Sequence, residues 1–206
     1  MSAPLLPWEV LERIIGHSGD HPQTLRNFSL TCRDLRPRAL CLLVADVCLN
    51  NRGKTFDFCD FLQASPHLKP FVRSVALNPK DFAPFPLFSV LSNLSQVKFT
   101  LTQPIKPQIR AVTDLNRFSL TCCKVFGTHI QALHLSHLSF PTYFDFARVL
   151  LTFTNLTNLV CTGVVIISEG NKASLSVLER RLSKRLHLRT VSLPVCCRHE
   201  ESWLKP

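Results

Sequence analysis

Residues 92–99 read SNLSQVKF, and three later stretches repeat that plan: HIQALHL at 129–135, TNLTNLVC at 154–161 and LHLRTVSL at 186–193. Each carries an apolar-x-apolar pair: Val97 and Phe99, Leu133 and Leu135, Leu159 and Cys161, Val191 and Leu193. Side chains alternate along a strand, so both members of a pair lie on one face, which we expect to be the inner one. The run Pro70–Leu77 alternates in the same way and reads as the first strand, with Val75 and Leu77 inward. Helical text stands between the phrases. It covers Phe85–Leu91, Thr142–Thr152 and Ser174–Leu186, the last with Leu175, Leu178 and Leu182 on a stripe. The phrases recur unevenly, roughly every twenty to forty residues. A single helix–strand unit cannot bury its apolar face alone. Stacked units put the strands in a parallel sheet with the helices outside, and right-handed crossovers make one curved α/β solenoid.

The text around these units is less regular. Asn50–Gly53 is a turn signal, and Val44–Asn51 is expected to close the preceding helical segment. Thr55–Gln63 reads as a helix with Phe58, Phe61 and Leu62 on one face, ended by Ser65-Pro66. Gln103–Ile109, with two prolines, reads as a loop, and Val112–Phe126 fits a strand or a helix. The tail after Leu193 is expected to be irregular, with Trp203 placed to cap the last unit; without a cap the sheet ends on an open edge.

Ahead of the repeats stands LPWEVLERIIGHSGDHPQTLRNFSLTCRDLRPRALCLLV, Leu6–Val44. Pro7 suits the first helical position. Trp8, Leu11 and Ile15, with Val10 and Ile14 beside them, recur at helical period until Gly16 and Ser18-Gly19-Asp20. Asp20 or His21 before Pro22 offers a second helix start, and a third element runs on from Ser29 with a break expected at Pro37. Three short helices in so few residues bury too little surface to stand alone.

The order Leu6-Pro7-x-Glu9-Val10-x3-Ile14, then Leu25, then Leu30-x-Cys32-Arg33, resembles an F-box. The following FLQASPHLKPFVRSVAL, Phe61–Leu77, resembles the segment that joins the F-box to leucine-rich strands in F-box proteins of mushroom-forming fungi. The family's usual Trp after Cys-Arg-x is Leu35 here. The resemblance implies an α/β chain with a short helical F-box at 1–50, a linker helix at 51–70 and an irregular leucine-rich-repeat-like solenoid at 71–206. It implies a substrate-recruiting adaptor of a Skp–cullin–F-box ubiquitin ligase that catalyses nothing itself. Leu6, Pro7, Val10, Ile14, Leu25, Leu30, Cys32 and Leu35 would form the unit that docks on the Skp adaptor. Trp8 is either an exposed anchor of that unit or a core staple. The polar strand positions Lys98, Thr100, His134, Ser136 and Thr190 would face a target protein.

Composition excludes several other classes. Six glycines and no phosphate-cradling string leave nucleotide binding without support. The sequence holds no nucleophile elbow, no His-Glu-x-x-His helix and no kinase set, and we expect no enzyme activity and no cofactor. Asp57 and Asp60 read as an exposed acidic face near a helix start. The nine cysteines lack the paired spacing of a zinc site, Cys122-Cys123 and Cys196-Cys197-Arg198-His199 included, so no metal is expected. Cys41, Cys48, Cys59 and Cys161 read as small core residues. His134 and His137 fall on a strand, where they would point apart. The opening residues do not read as a secretory signal and no apolar run reaches membrane-spanning length, so a cytoplasmic or nuclear location is expected, with no membrane partner. The formal charge is +10, densest in RRLSKRLHLR at 180–189, and reads as a solvated helix face. Two other readings stay open. One is a repeat scaffold with a vestigial F-box, and the other a basic nucleic-acid binder using 180–189.

Overall fold

The computed structural model describes residues 6–78, 85–101, 117–168 and 172–193. Three helices come first: α1 (Trp8–His17), α2 (Pro22–Thr31) and α3 (Leu35–Leu43). Pro7 precedes the first helical residue and caps it, its carbonyl accepting the N–H groups of Val10 and Leu11 at 3.1 and 3.3 Å. Pro22 opens α2. Pro37 does not break α3, contrary to expectation. It sits in the first helical turn, where an N–H has no intrahelical acceptor to lose.

Among the described residues two sheets follow, with five further α-helices. The long sheet takes β1 (Asp46–Leu49), β2 (Ser74–Leu77), β3 (Gln96–Thr100), β4 (Ala132–Ser136), β6 (Asn158–Thr162) and β8 (Thr190–Ser192), all parallel and in that order. The short sheet pairs β5 (Ser139–Thr142) with β7 (Val165–Ser168), again in parallel. The helices between them are α4 (Arg52–Ala64), α5 (Phe85–Val90), α6 (Arg117–Phe126), α7 (Tyr143–Leu150) and α8 (Lys172–Arg185). Asn51 caps α4 by accepting the N–H of Lys54 at 2.9 Å, and the Thr142 hydroxyl caps α7 by accepting that of Asp145 at 3.3 Å.

The register explains the repeated phrases. Val47, Val75, Val97, Leu133, Leu159 and Val191 are neighbours across the sheet, and Leu49, Leu77, Phe99, Leu135 and Cys161 form the next row. Val75, Val97, Phe99, Leu133 and Leu135 are buried, together with Cys59 and Leu62 of α4, Leu87 and Phe88 of α5, Cys122 and Cys123 of α6, and Val149 and Leu150 of α7. The helices therefore pack on the apolar face of the long sheet. One apolar residue precedes each strand of the long sheet by two positions: Val44, Val72, Leu94, Ile130 and Leu156 are buried, and Leu188 packs against the same core.

A backbone device recurs at each step. The carbonyl just before a strand accepts two N–H groups from the start of the next: Ala45 from Arg73 and Ser74, Arg73 from Ser95 and Gln96, Ser95 from Gln131 and Ala132, Gln131 from Thr157 and Asn158, Thr157 from Arg189 and Thr190. The Asn93 side chain adds a tie to the Pro70 carbonyl, and Asn155, in the matching phrase, one to that of Thr128.

Several expectations are corrected. Residues 46–49, expected to close the helical segment, form β1 and pair with β2. Pro70 and Phe71 lie in a 3-10 turn (Pro66–Phe71), so β2 begins only at Ser74. The buried face of α4 is Thr55, Cys59 and Leu62 at i, i+4 and i+7, while Phe61 is exposed and stacks on half-buried Phe58 with centroids 6.2 Å apart. Residues 117–126 are helical. Cys48 is exposed, because it alternates with inward Val47 and Leu49. Val191 and Leu193 are exposed, because no described strand lies beyond β8. The loop at 103–109, the expected cap Trp203 and the segment 196–199 lie outside the described residues.

Candidate functional site

Two surfaces carry the residues singled out in the sequence. The first belongs to α1–α3. These helices enclose their own small core of Ile15, Leu25 and Ala39, with Phe28, Leu35, Leu42 and Leu43 packed around it. One face of α3 faces this cluster. Its Leu40 and Cys41, with Val44 just beyond, pack against the core of the long sheet. Leu25 is thus interior, and Leu35 is half-buried against the same cluster. Leu6, Trp8, Val10 and Ile14 are between 39% and 46% exposed. Val10 and Ile14 stand one turn apart on a flank of α1 that Ile15 does not share. Trp8 lies along the Ile15 side and, among the described residues, belongs to neither buried cluster. Leu30 is 85% exposed at the end of α2, and Cys32 beyond it is exposed too.

The second surface is the polar face of the long sheet. Lys98, Thr100, His134, Ser136 and Thr190 all lie on it. Lys98 pairs in register with His134 and Thr100 with Ser136, while Thr190 continues the row Asp46, Ser74, Gln96, Ala132 and Asn158. Asp46 is the hub of its first half. Its carboxylate accepts from the Ser74 hydroxyl at 3.0 Å and pairs with the Lys98 ammonium. Asp46 was not singled out in the sequence, since 52 residues separate it from Lys98. The imidazole of His134 stands 3.4 Å from the Thr162 hydroxyl. Burial, and secondarily the nearby Lys98 charge, hold its pKa below the ordinary histidine value. The face is otherwise small and uncharged, and suits hydrogen bonding to a partner more than acid–base chemistry.

Other candidate chemistry is not assembled. Among the described residues no three His, Cys, Asp or Glu side chains could hold a metal ion. Cys122 and Cys123 are buried, and burial raises both thiol pKa values, that of Cys122 to about 11. His137 has left the strand: it adopts φ 55°, and its ring faces Gly163 rather than His134. Asp57 and Asp60 are exposed on α4. Arg180, Arg181, Lys184, Arg185, His187 and Arg189 are all exposed, as a solvated basic face requires. No helix among the described residues is long and apolar enough to cross a membrane. Comparison by family profile, by curated sequence and by solved structure found no match to this chain.

Proposed function

We propose that this chain is a non-catalytic adaptor whose helices α1–α3 act as an F-box, docking on the Skp adaptor of a cullin–RING ubiquitin ligase, while the repeat part binds a target protein. In this reading the long sheet and its helices form a leucine-rich-repeat-like α/β solenoid. The observation that carries the proposal is the exposed apolar set Leu6, Trp8, Val10 and Ile14. A three-helix unit with its own small buried cluster still offers large apolar side chains to solvent, where the F-box-like residues of the sequence lie. Exposed apolar patches mark interaction sites, and a tryptophan such as Trp8 is a typical centre of binding energy within one. The polar face around Lys98, Thr100, His134, Ser136 and Thr190 would then hold the target. Tethering raises the local concentration of target lysines near the conjugating enzyme, which is all the chemistry an adaptor needs to supply.

The test is co-expression with a fungal Skp adaptor followed by size-exclusion chromatography. Val10→Ala/Ile14→Ala is the control, since both side chains are exposed and Ala suits a helix. The expected result is a one-to-one complex that the double variant loses while keeping its circular dichroism. A well-folded parent chain that forms no complex would refute the ligase role and leave a repeat scaffold as the better reading.

A further inference from the structure

The run 180–189 holds five Arg or Lys residues and no acidic one, and it encloses one hydroxyl, that of Ser183. Arg180 and Arg181 stand three and two residues ahead of it. Ser183 lies in the last turn of α8, whose end at Arg185 is followed by non-helical residues 186–189. Leu182 and Leu186 pack against the sheet core and hold this turn on the protein, which leaves Ser183, Arg180, Arg181, Lys184 and Arg185 exposed. The Ser183 hydroxyl donates to the Arg180 carbonyl at 3.1 Å, so the oxygen keeps its lone pairs for other chemistry.

Exposure together with a second arginine separates this hydroxyl from the other described ones with an arginine three residues ahead: Ser192, behind Arg189, is exposed but lies in β8 and has Thr190 beside its arginine. Thr55, behind Arg52, is buried and bonds the Asn51 carbonyl. Ser29, behind Arg26, is half-buried, bonds the Arg26 carbonyl and has no second arginine beside the first. Ser183 alone among these four combines paired arginines with an open position at a helix end.

We propose that Ser183 is a phosphoacceptor for a basophilic serine/threonine kinase, one whose acidic subsites read the arginines at positions 180 and 181. Charge pattern is a principal means by which kinases discriminate substrates. The reading is independent of the adaptor role. Ser183 Oγ attacks the γ-phosphorus of the kinase's Mg-bound ATP. The new O–P bond forms as the bond to the β,γ-bridging oxygen breaks, ADP leaves with that electron pair, and the hydroxyl proton passes to the kinase's catalytic aspartate. Binding in an extended form requires the last turn of α8 to open, which breaks the bond from Leu186 N–H to the Leu182 carbonyl at 2.8 Å. The added phosphate carries about −1.5 to −2 charges at neutral pH, which removes over a quarter of the +5 in this run. Ser183 thereby becomes a switch for the affinity of acidic partners at the end of the chain that leads into β8.

The experiment incubates the folded full chain with the catalytic subunit of a basophilic kinase and ATP, and reads intact mass and peptide maps. The expected product carries one phosphate, on Ser183, and Ser183→Ala, folded by circular dichroism, carries none there. Arg180→Gln/Arg181→Gln should lower kcat/KM by about tenfold or more, the scale of a lost charged contact. Phosphate on other residues only, phosphorylation of the urea-unfolded chain but not the folded one, or equal rates for the arginine variant would each overturn the proposal.

Discussion

Gly163→Ala isolates the backbone cost of the turn between the two sheets. Gly163 follows β6 with φ 62°, and His137 holds the matching position after β4 with φ 55°. The two turns are stitched together by His137 N–H to the Thr162 carbonyl at 2.8 Å and Val165 N–H to the Leu138 carbonyl at 2.9 Å. An L-residue in this left-handed region costs about 1–2 kcal/mol. A Cβ on Gly163 would also stand 2.7 Å from His137 Nδ1. That second cost is small, because His137 is exposed and its ring can swing away. The expected loss is therefore about 1–2 kcal/mol, nearly all from φ. For a chain of 206 residues, at about 2–4 °C per kcal/mol, the melting temperature should fall by about 2–8 °C. Thermal and urea unfolding followed by circular dichroism measure it. His137→Ala in the same chain is the decisive comparison: coupling between the two sites should stay below about 0.5 kcal/mol. A melting temperature unchanged within about 1 °C, or full rescue by His137→Ala, would refute the reasoning, the first by removing the φ cost and the second by assigning it to the clash.

Leu62→Ala should cost about 2–5 kcal/mol, as for a fully buried leucine, whereas Phe61→Ala should cost under about 1.5 kcal/mol, the worth of an exposed stack on Phe58. Urea unfolding decides between them, and a reversed order would mean that α4 packs by its phenylalanines. The folded-state pKa of His134 lies below its unfolded value, so the unfolded chain binds the proton more tightly. This contribution to stability is fully present above about pH 6.5, declines as pH falls through that value, and levels off below the folded pKa. Lys98→Met should move the His134 titration upward by removing the secondary cause, an NMR titration reads it, and a downward move would contradict the assignment.

Much of the architecture was legible because strand burial here is local. Apolar-x-apolar pairs such as Val97/Phe99 and Leu133/Leu135 each declare a face without reference to distant residues. The same phrase at Val44-x-x-Val47-x-Leu49 was overlooked, since it follows directly on helical text and so reads as its end. β5 was hidden by Pro141, a residue that argues against a strand and that has no partner in the register with β7. β7 was hidden by having no alternation at all, its four residues being exposed. On α4 large aromatic side chains drew the apolar face toward Phe61, while the real contact runs through Thr55, Cys59 and Leu62. Burial of Val191 and Leu193 depends on whether another unit follows, which their own phrase does not encode. The residues proposed to dock divide in the same way. Helical period placed Leu11 and Ile15, but only packing separated interior Leu25 from exposed Leu30.

The doubly accepting carbonyls carry a consequence for how the chain tolerates change. Each one engages only the next rung, and the rung starts Asp46, Ser74, Gln96, Ala132, Asn158 and Thr190 step by 28, 22, 36, 26 and 32 residues without loss of register. The staircase is thus indifferent to the length of the path between treads. Loop closure penalises added residues only logarithmically, so insertions between rungs are cheap while an altered tread is not. Evolution is free to lengthen or trim the excursions, and with them the outward surface, while copying the treads.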